Sequence, residues 1–176
     1  METLPREIVH LMVRLVPTAY GAVSVLNRWF HSCLVGDLEA FKTASLRNVI
    51  EGYRSYWILP NGKRHGKSYF YYSPGRIRWE ADCVDNRWHG KYREYYKSGK
   101  LSREIDYIHG EITGKIIKYY ESGNIKCEIN CVNSWRHGNK IRYFESGKVR
   151  YVVPYISSER HGIYTEYYES GELRFK

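Results

Sequence analysis

With 176 residues, 43% of them hydrophobic and 27% charged, the chain has room for one domain or one domain with a small appendage, and it reads as soluble and globular. Eighteen Tyr and five Trp against two Met favour pleated strands, so a mainly β protein is expected. Residues 1–50 hold five Lys/Arg and four acids, which leaves +8 of the net +9 to the remainder, and any attraction to nucleic acid, anionic lipid or an acidic partner would arise there.

Taken in chain order, the first candidate element is helical. Thr3 can cap it, Pro5 suits its first turn, and Leu4, Ile8, Leu11 and Leu15 share one face. The uncharged stretch from Leu15 to Asn27 is broken by Pro17 and flanked by Arg14 and Arg28, too short to span a bilayer. Glu2, Arg6, Glu7 and Arg14 interrupt any secretory core, so a cytoplasmic protein is expected, neither secreted nor transmembrane. The stretch Asp37 to Glu51 reads as a joining helix, and residues 1–50 are taken as one small α-helical segment. Residues 51–65, with Trp57, Ile58, Leu59 and a Pro60-Asn61-Gly62 turn, read as a degenerate half-unit capping the region from Gly66 onward.

Residues 66–176 are read as five tandem units that recur every 24 residues. Gly66, Gly90, Gly114, Gly138 and Gly162 form one column, and Gly75, Gly99, Gly123, Gly147 and Gly171 a second, preceded by Ser in four units and by Pro74 in the first. Each unit carries an aromatic pair: Tyr71-Tyr72, Tyr95-Tyr96, Tyr119-Tyr120, Tyr143-Phe144 and Tyr167-Tyr168. After the second glycine, apolar and polar residues alternate, as in Ile77, Trp79, Ala81, Cys83 against Arg76, Arg78, Glu80. In the equivalent set Leu101, Arg103, Ile105, Tyr107, Arg103 is the one charge on the apolar face. The unit is therefore read as a strand, a Ser-Gly turn, a longer strand and a loop ending in His-Gly, with both glycine columns at turns. Such hairpins stack into an elongated antiparallel sheet in which equivalent residues lie roughly 9.5 Å apart and five units extend roughly 45 Å. Twist would give that ribbon a curved surface.

Several residue groups invite a site. His65, His89, His137 and His161 recur too far apart to converge on one ion, since zinc needs ligands about 2 Å from the metal, so packing or capping is expected and no metal or other cofactor. Cys127 and Cys131 lie four apart on one strand, roughly 13 Å, beyond a disulfide. The column Tyr71, Tyr95, Tyr119, Tyr143, Tyr167 is either internal glue or an exposed platform for a partner. Arg76, Arg78, Lys100, Lys126, Lys148, Arg150 and Arg174 could track phosphates of lipid or nucleic acid, although Glu80, Glu104 and Glu128 run beside them. No phosphate loop, nucleophile elbow or Cys-His-Asp arrangement stands apart from the repeat, so no enzyme is expected.

The pattern Gly-x4-Tyr-Tyr-x-Ser-Gly-x-Leu/Ile, with a His-Gly further along, resembles the variant MORN repeat found in bacterial and large-DNA-virus proteins. That resemblance implies an all-β hairpin stack for protein or membrane-proximal contacts, without catalytic residues. Unit three departs from it, with Thr113 in place of the histidine. The stretch Leu4-Pro5-Arg6-Glu7-Ile8 through Val25-Leu26-Asn27-Arg28-Trp29 is similar to an F-box, which implies docking of a Skp-type adaptor through Leu4, Pro5, Ile8, Val25 and Trp29. An F-box-like start ahead of such repeats looks like proteins of marseillevirus-type giant DNA viruses, which implies work in the host cytoplasm or virion. Three roles are expected: a scaffold or ubiquitin-ligase substrate adaptor, a structural protein forming a homodimer through the terminal repeat, or a binder of lipid or nucleic acid.

Overall fold

The computed structural model describes residues 45–176. They form a single antiparallel sheet, and its strands succeed one another across it almost entirely in chain order. The strands are β1 (Arg47–Glu51), β2 (Arg54–Ile58), β3 (Arg64–Ser73), β4 (Arg76–Val84), β5 (Arg87–Tyr95), β6 (Leu101–Ile108) and β7 (Glu111–Tyr119). They continue as β8 (Ile125–Val132), β9 (Trp135–Tyr143), β10 (Val149–Ile156), β11 (Glu159–Arg160), β12 (Thr165–Tyr167) and β13 (Leu173–Phe175). β10 pairs with both β11 and β12, the one departure from a simple path. The hairpin stack expected from the 24-residue period is therefore the fold.

The Ser-Gly loops share one geometry. In the second unit the Gly99 N–H donates to the Tyr96 carbonyl at 2.9 Å and the Tyr96 N–H to the Lys100 carbonyl at 2.8 Å, with Gly99 at φ +87°. A β-turn ending on a left-handed glycine is the three-residue hairpin with a glycine bulge, and its twist suits the flanking strands. The Pro60-Asn61-Gly62 turn uses the same pair of bonds, from Gly62 N–H to Leu59 and from Leu59 N–H to Lys63. Pro74 departs from serine because its loop is shorter: Ser73 pairs with Arg76, leaving Pro74-Gly75 as a two-residue turn.

Three expectations need correction. Arg47–Glu51 is a strand rather than the end of a helix, paired with β2 from Arg47↔Ile58 to Glu51↔Arg54. Val49 and Ile50 are β-branched, and Gly52 at φ +57° turns the chain back at once, so hairpin pairing outweighs helix propensity. The remainder of that expected helix, Asp37 to Ala44, lies outside the described residues.

The second correction concerns the His-Gly column. Gly66, Gly90, Gly114 and Gly138 are not turn residues but lie inside β3, β5, β7 and β9, and Gly162 falls between β11 and β12. Between the pairs Ala81↔Tyr92 and Cys83↔Trp88, Asp82 alone faces three residues, His89 to Lys91. The excess is taken up as a bulge with Gly90 at φ +87°. The turns that reverse the chain come earlier: Asp85-Asn86, His109-Gly110, Asn133-Ser134 and Ser157-Ser158, each with positive φ at both residues. That is the type I′ turn of two-residue hairpins.

Third, the strict alternation along β4, β6, β8 and β10 is interrupted near each start. Phe70 pairs with Trp79 but Tyr71 with Ile77, so the register steps by one residue at Arg78. The Arg78 guanidinium consequently lies 5.6 Å from the centre of the same Phe70 ring that stacks on Trp79 at 6.0 Å, instead of on the opposite face.

Only a thin core is available to a single layer. Among the described residues its buried hydrophobic members are Leu59, Ala81, Cys83, Ile105, Cys127, Ile129, Cys131, Val153 and Tyr155. Cys83, Cys127 and Cys131 are free thiols, and burial pushes each of them above the ordinary cysteine range.

Candidate functional site

Neighbouring units are clamped at both ends of the hairpins. At the type I′ end, the turn amide of one unit donates to the strand before it, as Asn86 N–H to Arg64, Ser134 N–H to Ile112 and Ser158 N–H to Arg136, at 2.8–2.9 Å. The turn side chain completes each pair, accepting Arg64 N–H on Asn86 Oδ1 at 2.8 Å, Ile112 N–H on Ser134 Oγ at 3.0 Å and Arg136 N–H on Ser158 Oγ at 3.0 Å. Where the turn is His109-Gly110, no such side chain exists, and the His109 N–H approaches His89 Nδ1 at 3.4 Å. His65, which is buried, lies 3.7 Å from Asp85, and among the described residues no cluster of three or more His, Cys, Asp or Glu could hold a metal.

At the Ser-Gly end the tyrosines form the clamp. The second member of each pair donates its hydroxyl to the backbone carbonyl of the first member one unit on: Tyr72 to Tyr95 at 3.0 Å, Tyr96 to Tyr119 at 2.6 Å and Tyr120 to Tyr143 at 2.8 Å. Phe144 has no hydroxyl, so the series lapses there. Each such bond contributes about 1 kcal/mol net. Phe144→Tyr should therefore raise thermal stability by up to about that amount, and Tyr120→Phe should lower it similarly. If Tyr120→Phe leaves the melting temperature unmoved, the hydroxyl is idle.

The first tyrosine of each pair serves mainly inside the sheet. Tyr95 donates to Glu80 Oε1 at 2.7 Å, and Tyr143 reaches Glu128 Oε2 at 3.5 Å. Burial, then the hydrogen bond to the Glu80 carboxylate, pushes the Tyr95 phenol up to about 12. Tyr71 stacks on Tyr69 with ring centres 6.3 Å apart, and Tyr167 is half-buried.

On the face carrying Glu80 and Glu104, charges are balanced locally. Arg93 bridges Glu80 at 3.6 Å and Glu104 at 3.0 Å, while Lys91 bridges Glu104 at 2.9 Å and Asp106 at 3.0 Å. Lys67–Asp82 and Lys115–Glu128, both at 3.5 Å, extend the series.

The other face is built differently. Reading across the strands, one row runs Trp79↔Glu94↔Arg103↔Lys118↔Cys127↔Arg142↔Tyr151. The next runs Ala81↔Tyr92↔Ile105↔Ile116↔Ile129↔Lys140↔Val153. The second row is the apolar floor, and the first carries cations through its middle. Around them opens a groove of about 410 Å³ lined by Tyr72, Glu94, Tyr96, Arg103, Lys118 and Arg142, with Tyr95, Ser102, Tyr119 and Lys126 completing it.

Of the residues singled out in the sequence, Lys126 and Arg103 are brought together at this groove, which Tyr95 and Tyr119 meet at the carbonyls that accept from Tyr72 and Tyr96, while the Tyr95 phenol bonds to Glu80 on the opposite face. Leu4, Pro5, Ile8, Val25 and Trp29 lie outside the described residues. Sequence reasoning missed Lys118 and Arg142. The signal was present one position before the tyrosine pair, where the units read Phe70, Glu94, Lys118, Arg142, Glu166.

Residues 88–109, 112–133, 136–157 and 160–176 match the family described as MORN repeat variant. The first three of these segments each run from a strand start beside one type I′ turn to the next such turn. Repeats of this kind are protein- and membrane-interaction motifs and are not enzymatic. No curated protein matches the chain.

Proposed function

We propose that this chain is a non-catalytic interaction scaffold whose repeats offer the grooved face of the sheet to a protein partner, while the opposite face serves stability and solubility. The observation that carries this reading is the contrast between faces: one neutralises its charges in short ion pairs, and the other leaves Lys118, Lys126 and Arg142 without a carboxylate partner among the described residues. Ladders of exposed pairs contribute little energy each, so the paired face has little left with which to recognise anything. An open row of cations beside an apolar floor retains both kinds of recognition energy.

The F-box-like start suggests the use to which such a scaffold is put. Residues 1–50 would dock a Skp-type adaptor through Leu4, Pro5, Ile8, Val25 and Trp29 while the repeats select a target, with the cytoplasm as the place of work. Affinity purification of the tagged full chain, read by mass spectrometry, is expected to capture a protein partner and, with it, the adaptor. The double substitution Pro5→Ala with Ile8→Ala should abolish adaptor capture and leave the far-ultraviolet spectrum of the sheet unchanged. Retention of the adaptor by that variant would remove the ligase role and leave scaffolding alone.

A further inference from the structure

Arg103 and Lys118 face each other directly across β6 and β7, and Arg142 comes next across Cys127. Like charges placed opposite one another on a sheet are unfavourable. The acid in this row, Glu94, is already held by Arg103 at 3.6 Å. Lys126 adds a further positive charge, resting 5.2 Å from the Tyr120 ring centre, and Lys140 stands in the adjacent row, 5.6 Å from the Tyr151 ring centre. Burial, and then repulsion from Arg103, Lys140 and Lys126, holds the Lys118 ammonium below the usual lysine range. Glu94 offsets the charge of Arg103, and the groove gathers beyond that the charges of Lys118, Lys126 and Arg142, which have no carboxylate partner among the described residues.

We propose that this groove is a binding site for a doubly charged phosphoryl group carried on a segment of a partner protein, held by Arg103, Lys118, Lys126 and Arg142. The inference rests on the scaffold reading and names the chemistry of its partner. Guanidinium groups from Arg103 and Arg142 suit the oxygens of a phosphoryl group, and Lys118 between them supplies a point charge. The site takes a protruding side chain rather than a bilayer, because the cations sit in mid-sheet, in a recess beside the Tyr72 and Tyr96 rings. A nucleic-acid strand fits less well. Stacking of bases needs bare aromatic faces, and Lys126 and Arg150 lie against Tyr120 and Phe144 of the adjoining column.

The test uses the full chain in fluorescence polarisation. Probes are degenerate peptide libraries centred on phosphoserine, phosphothreonine or phosphotyrosine, their unphosphorylated counterparts, and phosphatidylcholine vesicles doped with phosphoinositide. Phosphorylated libraries are expected to bind at least about tenfold more tightly than unphosphorylated ones, the effect of one or two charge-assisted hydrogen bonds. Lys118→Gln with Arg142→Gln should remove that preference, while Lys67→Gln on the opposite face should preserve it. The double variant relieves like-charge repulsion and so should fold. Its melting temperature should equal or exceed that of the parent, but should lose the rise that inorganic pyrophosphate gives the parent at matched ionic strength. Equal binding of the two libraries overturns the phosphoryl site, as does vesicle binding sensitive to the double substitution without any peptide binding. Failure of the full chain to capture any protein partner is a separate result and overturns the scaffold reading beneath it.

Discussion

Replacing Ile129 by alanine is expected to destabilise the sheet by about 2 kcal/mol, the lower end of the range for deleting a buried isoleucine side chain. Ile129 is 7% exposed between Cys127 and Cys131, each 3% exposed, and Ile112 and Ile116 pack against this cluster. It stands on the apolar floor opposite Ile116 on one side and Lys140 on the other. The loss falls at the lower end because a single layer has no second sheet to hold the cavity open, and the neighbouring side chains can settle into part of the space. Val132, three residues along the same strand but 52% exposed, provides the comparison. Val132→Ala should change stability by no more than about 0.5 kcal/mol. Urea unfolding monitored by tryptophan fluorescence measures both. Equal losses at the two positions would show that the row through Ile129 is not the core. In a stacked array each unit touches only its neighbours, so hydrogen exchange in Ile129→Ala should quicken most in β7, β8 and β9.

The second large effect is expected at Glu104. Its carboxylate accepts from Lys91 Nζ at 2.9 Å and from Arg93 Nε at 3.0 Å. Burial alone would raise this carboxyl, but the hydrogen bonds from the two cations outweigh it and hold the group below its ordinary value of 4.5. A carboxyl depressed in the folded state binds fewer protons there than in the unfolded chain, so it adds stability that rises with pH. That contribution is complete at neutral pH, begins to fall as the pH drops below the ordinary value, and is gone once the pH lies under the lower folded value. Glu104→Gln is therefore expected to lose roughly 1 to 2 kcal/mol at pH 7, discounted for the partial exposure of Lys91 and Arg93. It should also flatten the acid limb of the stability profile. Urea midpoints collected between pH 7 and pH 3 test this, and parallel profiles for the parent and Glu104→Gln would remove Glu104 as the source of acid sensitivity.

The same chemistry explains why the opposite face behaves otherwise. Lys91 and Arg93 find Glu104 across one strand pair, whereas Lys118 finds Arg103 at the corresponding place on the other face. Substituting one column thus alters local balance, and substituting the other alters what the sheet can attract.

The hairpin stack is readable from residue order because two glycine columns and an aromatic pair recur at one spacing, and period-2 alternation makes each unit a pair of half-buried strands. Pro74 and the three-residue Ser-Gly loops arise from local turn chemistry alone, since proline fixes φ and glycine accepts the left-handed region. The His-Gly column misleads for the same reason: glycine at positive φ serves a turn and a bulge equally, and only pairing decides between them. The type I′ turns at Asn133-Ser134 and Ser157-Ser158 are hidden because their side chains are chosen for bonds to the preceding unit, a partner 22 residues away. Glu51 belongs to a strand because pairing with Arg54 outweighs its own helical propensity.

The candidate site divides in the same way. Sequence by itself determined that Arg103 is a charge out of place on an apolar face, and that tyrosine pairs recur beside it. Only the tertiary structure decided that Arg103 meets Lys118, that Cys127 leads on to Arg142, and that Lys118, Lys126 and Arg142 lie on the face opposite the ion pairs of Glu80 and Glu104. Spacing along the chain fixes which residues are equivalent between units. Cross-strand register, with its one-residue steps at the bulges, fixes which residues become neighbours, and electrostatics acts between neighbours.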